Sequence, residues 1–337
     1  MKRRSFVKGL GAATTTMSAY GCSLLPGGNY SNYSPAGIMP KQAFGKTGMD
    51  VSMLGFGSHL RKELIADPEY RDRMIRLGIE GGINVFDVYD HYDYNQFKPM
   101  GDSLRDFRRD VLVSLCFVKS TELMQDEIDG ALKDFHTDYI DLYRTYTTDD
   151  DRVNIMEKNK KAGKIRAIGF VSHDEATMSD YLDRYGDVAD YAMIVYNFHH
   201  NKGAFGDSYP ENDYTALLPR MKRLNLGMIG IKPMGSDAMV ELARKEKFFG
   251  DKNANIAQAM LRHIYQNKDI HTIMPAMNTL GEVAVNLESA YNPALSEYEQ
   301  TKLKELSTAA ASTKSAYLPA HYKWLENWRG EAPRPLV

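Results

Sequence analysis

The side chains of this 337-residue chain that could do chemistry gather in a few short stretches. Asp87, Asp90, His91, Tyr92 and Asp93 stand within seven residues, a mixture of carboxylates, imidazole and phenol able to exchange protons with a substrate. Five of the nine histidines, His59, His91, His173, His199 and His200, follow apolar runs that read as strands. With Asp87, Asp90 or Asp93 they would suit zinc, manganese or iron, and so a hydrolase or isomerase. No His-x-x-x-His or similar spacing supports that set. A metal-free site is therefore the expectation, with polar rim residues lining a pocket. Arg144 and Tyr146 lie two apart and so on one face of a strand, which brings a guanidinium toward Asp87. That pairing would either favour a nearby phenolate or form a structural ion pair, since arginine cannot relay a proton. Lys119 follows the preceding strand as a further cation. Tyr92, Tyr146, Tyr196 and Phe198, with Trp324 and Trp328 near the C-terminus, could face a sugar or planar ligand, although most such rings simply pack.

The elements that must position these residues alternate. Short apolar runs at Val51–Phe56, Asn84–Val88, Val111–Phe117, Ile140–Tyr146, Ala167–Ser172, Tyr191–Asn197, Gly227–Lys232 and His271–Pro275 are separated by segments of helical spacing. Eight strands with intervening helices predict an α/β fold, a (β/α)8 TIM barrel whose chemistry sits at the C-terminal ends of its strands. Gln42–Val51, with its glycine turns, reads as an N-terminal β-hairpin cap under the barrel. A helix near Glu297–Thr308 begins a C-terminal helical tail. The barrel is expected over residues 41–310, and a tail packed on it over 311–337.

Five stretches, taken in order and spacing, resemble the aldo-keto reductase family across residues 41 to 291. They are Phe44–Gly57, Gly81–Tyr92, Asp138–Tyr143, Ala162–Gly169 and Ile231–Gly235. The resemblance implies carbonyl reduction with a nicotinamide cofactor, NAD or NADP, by a tetrad of Asp, Tyr, Lys and His. Asp87 matches the family Asp and Tyr92 the family Tyr, the proton donor. The Lys position, counted from Arg109-Asp110, is Cys116, and the His position is Tyr146. Without an ammonium beside it a phenol titrates near 10, so family chemistry would be slowed unless Arg144 compensates. The cofactor contacts depart as well. The family's Ser-Asn pair aligns with Val171-Ser172, its Gln with Met193 and its stacking aromatic with Ile231, while Lys232 follows within a retained motif. In the last phosphate-binding segment Ala276 and Glu282 stand where Lys and Arg clasp the 2′-phosphate, and Asn286 is kept. The resemblance thus implies cofactor contacts from Ser172, Lys232 and Asn286, with NADPH disfavoured by Glu282 and the helix near Leu280 still open to an anion.

The N-terminus opens with Lys2-Arg-Arg-Ser-Phe-Val-Lys8, which resembles a twin-arginine export signal, and Ala19-Tyr-Gly-Cys22 resembles a lipobox. The expectation is a signal over residues 1–22, export in the folded state, a lipid anchor on Cys22 as the sole link to a membrane, and a periplasmic or cell-surface location. Residues 23–40 read as a flexible tether, rich in Gly, Pro, Ser and Asn. Net charge −2 argues against nucleic acid as a partner, and Cys22 and Cys116 are the only cysteines. The function expected is hydride transfer between a nicotinamide and a small carbonyl or sugar. The alternatives are a pseudoenzyme that keeps a binding mouth, and the metal-dependent hydrolase or isomerase.

Overall fold

Alternation of side chains along strands divides the core into two shells. In the computed structural model, Val85, Leu142, Ala167, Met193 and Ile229 meet inside one ring, whereas Phe86, Val88, Val113, Tyr143 and Ile168 pack outward against helices. The structure describes residues 33–311 apart from 59–61, 90–95, 147–148, 203–210, 236–238, 241, 244–245 and 249–255.

A hairpin of β1 (Lys41–Ala43) and β2 (Asp50–Ser52) precedes eight parallel strands: β3 (Phe56–Ser58), β4 (Val85–Tyr89), β5 (Leu112–Phe117), β6 (Ile140–Thr145), β7 (Ile165–Ser172), β8 (Tyr191–Val195), β9 (Gly227–Ile231) and β10 (Thr272–Met274). Each pairs with the next. The ring closes between first and last, where the Gly55 and Gly57 amides donate to the Ile273 and Pro275 carbonyls at 2.8 and 3.0 Å. Gly57 is required at this seam, because a Cβ there would come within 2.8 Å of the Met274 carbonyl oxygen. The chain is a (β/α)8 barrel.

The first expected strand, Val51–Phe56, is divided between hairpin and barrel. Asn84 Oδ1 accepts from the Ser52 amide at 2.7 Å, Ser52 Oγ accepts from the Asn84 amide at 3.1 Å, and Ser52 Oγ donates to the Leu54 carbonyl at 2.7 Å. These bonds turn the chain out of the hairpin before β3 begins. The hairpin closes the N-terminal end of the ring, with Phe44 fully buried 5.8 Å from the Tyr191 ring and against Gly227, where any Cβ would strike it.

The helices are α1 (Lys62–Ala66), α2 (Pro68–Glu80), α3 (Phe97–Leu104), α4 (Met124–Asp134), α5 (Asp150–Lys161), α6 (Glu175–Tyr185), α7 (Leu217–Arg223), α8 (Ile256–Tyr265), α9 (Leu280–Tyr291) and α10 (Glu297–Ala311). Four start on side chains that the sequence places there for capping. Asp67 accepts from the Tyr70 amide, Asp149 from Arg152, Asp174 from Thr177 and Thr279 from Glu282, each bond contributing about 1 kcal/mol. α10 runs past the expected Thr308 because Leu303, Leu306 and Ala310 form a stripe buried against Ala259 and Met260 of α8. Among the described residues no helix is long and apolar enough to cross a membrane.

The segment read as a tether is packed from Tyr33 onward. Tyr33 donates to Glu288 Oε1 at 2.5 Å, Gly37 lies on the Tyr291 ring, and Met39 is buried against Gly82. The residues expected to form a tail beyond Ala311 lie outside the described part of the chain.

Candidate active site

The inward-facing positions of β4, β5 and β6 carry Asp87, Ser114 and Arg144, and register brings them together. Asp87 is level with Ser114, and Arg144 with Cys116. Arg144 Nη1 donates to Asp87 Oδ1 at 2.5 Å and to Ser114 Oγ at 2.8 Å, Nη2 donates to Asp87 Oδ2 at 3.0 Å, and Ser114 Oγ donates to Asp87 Oδ1 at 2.7 Å. This is a two-pronged charge pair within the barrel, Arg144 being 2% and Asp87 7% exposed. Burial would lower the guanidinium pKa, but the Asp87 carboxylate and the other groups around it together raise it and hold Arg144 protonated. Its Nε has no hydrogen-bond partner among the described residues, and neither has the neighbouring Tyr191 hydroxyl. Burial raises the Tyr191 pKa and the Arg144 charge opposes that rise. The Tyr191 ring lies over Gly169 of the adjacent strand β7, where a Cβ would stand 2.3 Å from the ring and no other residue type leaves room.

Sequence reasoning brought Asp87 and Arg144 together but passed over Ser114 and Tyr191. Inward parity on β5 and β8 was the available signal for both. Arg144 is spent on Asp87 and Ser114, so it supplies charge beneath the site and is too enclosed to meet a substrate oxygen. Cys116 is fully buried, and burial pushes its thiol up to about 12, leaving a neutral group where the family Lys would stand. Lys119 points away from the lumen toward Glu127 of α4, at 3.4 Å. Tyr146 is partly exposed at the C-terminal end of β6, with its ring 5.8 Å from that of His173 and its carbonyl accepting from Tyr181. Tyr92, His91, Asp90, Asp93 and His59 lie outside the described residues.

Of the described histidines of the rim, His173 and His199 are buried and His200 is exposed. His173, inward at the end of β7, is pushed down to about 3 by burial and by the charge of Lys232. His199, bonded through Nδ1 to Ser307 Oγ at 2.8 Å, is pushed down to about 4, again by burial first and then by Lys202. Among the described residues no three His, Cys, Asp or Glu side chains converge as metal ligands.

These shifts carry a pH dependence whose sign is definite. Both imidazoles stay neutral in the folded chain, whereas an unfolded His takes a proton below about 6.5. Stability is therefore complete above that value and falls as pH drops toward the folded values of about 3 and about 4. Between pH 7 and 5 the expected loss is roughly 2 kcal/mol per histidine. Urea unfolding at the two pH values should show it, and His173→Gln and His199→Gln should each flatten the slope. An unchanged slope in both would contradict the burial assigned to them.

The residues expected to hold a cofactor are divided in their state. Ser172 Oγ closes a local turn, donating to the Asp174 carbonyl at 2.8 Å and accepting from its amide at 3.0 Å. Lys232 follows β9 in a left-handed conformation (φ +53°), its carbonyl held by Asn197 Nδ2 at 3.1 Å. Asn286 of α9 is 2% exposed, and its Nδ2 has no hydrogen-bond partner among the described residues. The α9 N-terminus, expected to remain open to an anion, is closed by a variant of the capping box in which the glutamate reaches the residue before the N-cap. Thr279 Oγ1 accepts from the Glu282 amide at 3.1 Å, and Glu282 Oε2 accepts from the Asn278 amide at 2.6 Å. The Leu280 amide donates to Tyr70 at 3.1 Å. A carboxylate thus occupies the N-terminus of α9.

The model of the Aldo/keto reductase family matches residues 53–308. The chain is 23% identical over 320 residues to the L-galactose dehydrogenase of Arabidopsis thaliana, an alignment that covers 83% of this chain and 97% of that protein. It is 26% identical over 145 residues to the aldo-keto reductase YhdN of Bacillus subtilis (strain 168), covering 36% of this chain and 44% of that one. Among solved structures, the holo form of aldo-keto reductase AKR11C1 from Bacillus halodurans superposes with a TM-score of 0.62 at 19% identity, over 83% of this chain and 98% of that one. An aldo-keto reductase from Klebsiella pneumoniae in complex with NADPH gives 0.63 at 19% identity, over 82% and 98%. At such identities the superpositions speak for the fold alone.

Proposed function

Because the chain belongs to the aldo-keto reductase family, we propose that it is a nicotinamide-dependent oxidoreductase that acts on a small carbonyl compound or sugar with NAD(H) as its cofactor. The family match carries the reaction class, and the likeness to a sugar dehydrogenase over most of both chains supports a sugar-sized substrate. The bound nicotinamide would supply or accept the hydride.

The described residues fit one end of such a cofactor and oppose one form of the other. Val171, Met193, Val195 and Ile231 make the inner upper layer apolar, suited to the face of a planar ring. Asn286 Nδ2 is an unspent buried donor of the kind that a bound ligand satisfies. Glu282 repels a 2′-phosphate, and because it is held in the capping box it cannot swing aside without freeing the Asn278 amide. This favours NADH over NADPH.

In this reading Tyr92 gives its hydroxyl proton to the substrate oxygen. Asp87 and Arg144 form a neutralised, rigid floor beneath that exchange, so that neither draws the proton away. Tyr146 borders the same opening and positions the substrate oxygen.

Titration of the purified protein with NADH and with NADPH, followed by cofactor fluorescence, tests the assignment. NADH should bind the more tightly. Glu282→Gln keeps an acceptor for the Asn278 amide but removes the charge, and should tighten NADPH about five- to tenfold, the effect of roughly 1 kcal/mol of relieved repulsion at a partly exposed site. NADH should change little. Failure of both cofactors to bind would end the nicotinamide reading, and equal binding would end only the preference.

The twin-arginine run and Cys22 also support export of the folded barrel and a lipid anchor at its N-terminus, outside the cytoplasm. Loss of membrane association in Cys22→Ser is the expected result.

A further inference from the structure

We propose that the protein stands on a lipid bilayer by the N-terminal end of its barrel, with the strap Tyr33–Pro40 fixing the point of attachment and the mouth turned toward the aqueous side. This rests on the lipid anchor at Cys22 proposed above and goes beyond it.

The strap is held at one end of the barrel only. Tyr33 reaches Glu288 near the end of α9, Gly37 lies on Tyr291 and Met39 on Gly82. The Pro40 carbonyl accepts from the Met53 amide at 3.2 Å, and Tyr291 donates to the Gly81 carbonyl at 2.9 Å. All these partners lie where helices end and strands begin, opposite to Tyr146 and His173. Ile38, in the middle of the strap, is 93% exposed. Beside the buried Met39, this isoleucine adds an apolar side chain at the end of the barrel that the anchor brings to the bilayer interface. Lys41 and Lys46 of the hairpin are exposed on the same end, with Asp50 beside them, and lysines there suit anionic headgroups.

Length makes the orientation decisive. Residues 23–32 separate Cys22 from the strap, and ten residues reach at most about 35 Å fully extended. A domain of this size is roughly 48 Å across. A tether leaving at the lower edge therefore cannot pass around the barrel and lay the mouth on the membrane while the strap is docked.

The test uses the mature lipidated protein in vesicles of phosphatidylethanolamine and phosphatidylglycerol that contain a nitroxide-headgroup lipid. A fluorophore is placed by Lys46→Cys at the lower end or by Glu122→Cys at the mouth end, both exposed positions. Quenching at position 46 should exceed that at 122 severalfold. Equal quenching, or stronger quenching at 122, would overturn the orientation. Tyr33→Ala with Gly37→Val should release the strap and bring the two positions together while vesicle binding persists; an unchanged difference would remove the strap from the account. If the protein with Cys22 intact fails to associate with vesicles, the anchor itself is wrong and the orientation falls with it, an outcome distinct from the other two.

Discussion

Arg144→Ala should destabilise the barrel by about 3–5 kcal/mol, because it leaves the Asp87 carboxylate buried without its countercharge. The pair is enclosed at 2.5 and 3.0 Å, and Ser114 alone cannot satisfy both carboxylate oxygens. Removing both charges is a different matter. Asp87→Leu with Arg144→Met replaces the pair by apolar volume in a lumen that already holds Leu142, Met193 and Ile229, and stability should return to within about 1–2 kcal/mol of the parent. Denaturant unfolding of the single and double variants measures the coupling. Additive losses would show that the two groups do not depend on each other, against the geometry. The double variant should nonetheless lose activity, since the charged floor of the site goes with the pair.

Tyr92→Phe should lower kcat by about 10²- to 10⁴-fold, the usual contribution of a positioned proton donor, and leave the affinity for NADH unchanged. The magnitude follows from what surrounds the opening. Cys116 is neutral, with its thiol pushed up to about 12, His173 is neutral with its pKa pushed down to about 3, and Arg144 is engaged. None of these can give up a proton readily at neutral pH, so a lost phenol has no ready substitute there. Tyr146→Phe is the informative companion and should cost no more than about tenfold, chiefly in KM, if the hydroxyl only positions substrate. Steady-state kinetics on the two variants decide between them. A collapse of kcat in Tyr146→Phe with little effect in Tyr92→Phe would transfer the proton to Tyr146.

The barrel was legible in the sequence because each strand combines parity with apolar content, and the helices between them carry capping residues. What escaped was contributed by side chains that override local preference. Val51–Phe56 reads as one strand, yet the Ser52–Asn84 bonds break it, and such a pairing across 32 residues leaves no local trace. Arg144 could be aimed at Asp87 by counting, but its commitment to Ser114 required the register of β5 against β6. Thr279 and Glu282 spell a capping box in the sequence, and reading Glu282 only against a cofactor phosphate obscured its bond to the Asn278 amide. The rim histidines look solvent-facing because they follow strands, whereas His173 and His199 are each 3% exposed. Tyr33–Pro40 has tether composition and is held by two tyrosines, Tyr33 and Tyr291, on opposite sides of the contact.

One consequence of the Cys116 environment concerns how this barrel can be watched in motion. A thiol that is fully enclosed and pushed up to about 12 by burial reacts with alkylating reagents only when the barrel around it opens. With Cys22 acylated, the modification rate of this single thiol is a clock for opening of the ring. It would run in the native protein at equilibrium and require no engineered probe.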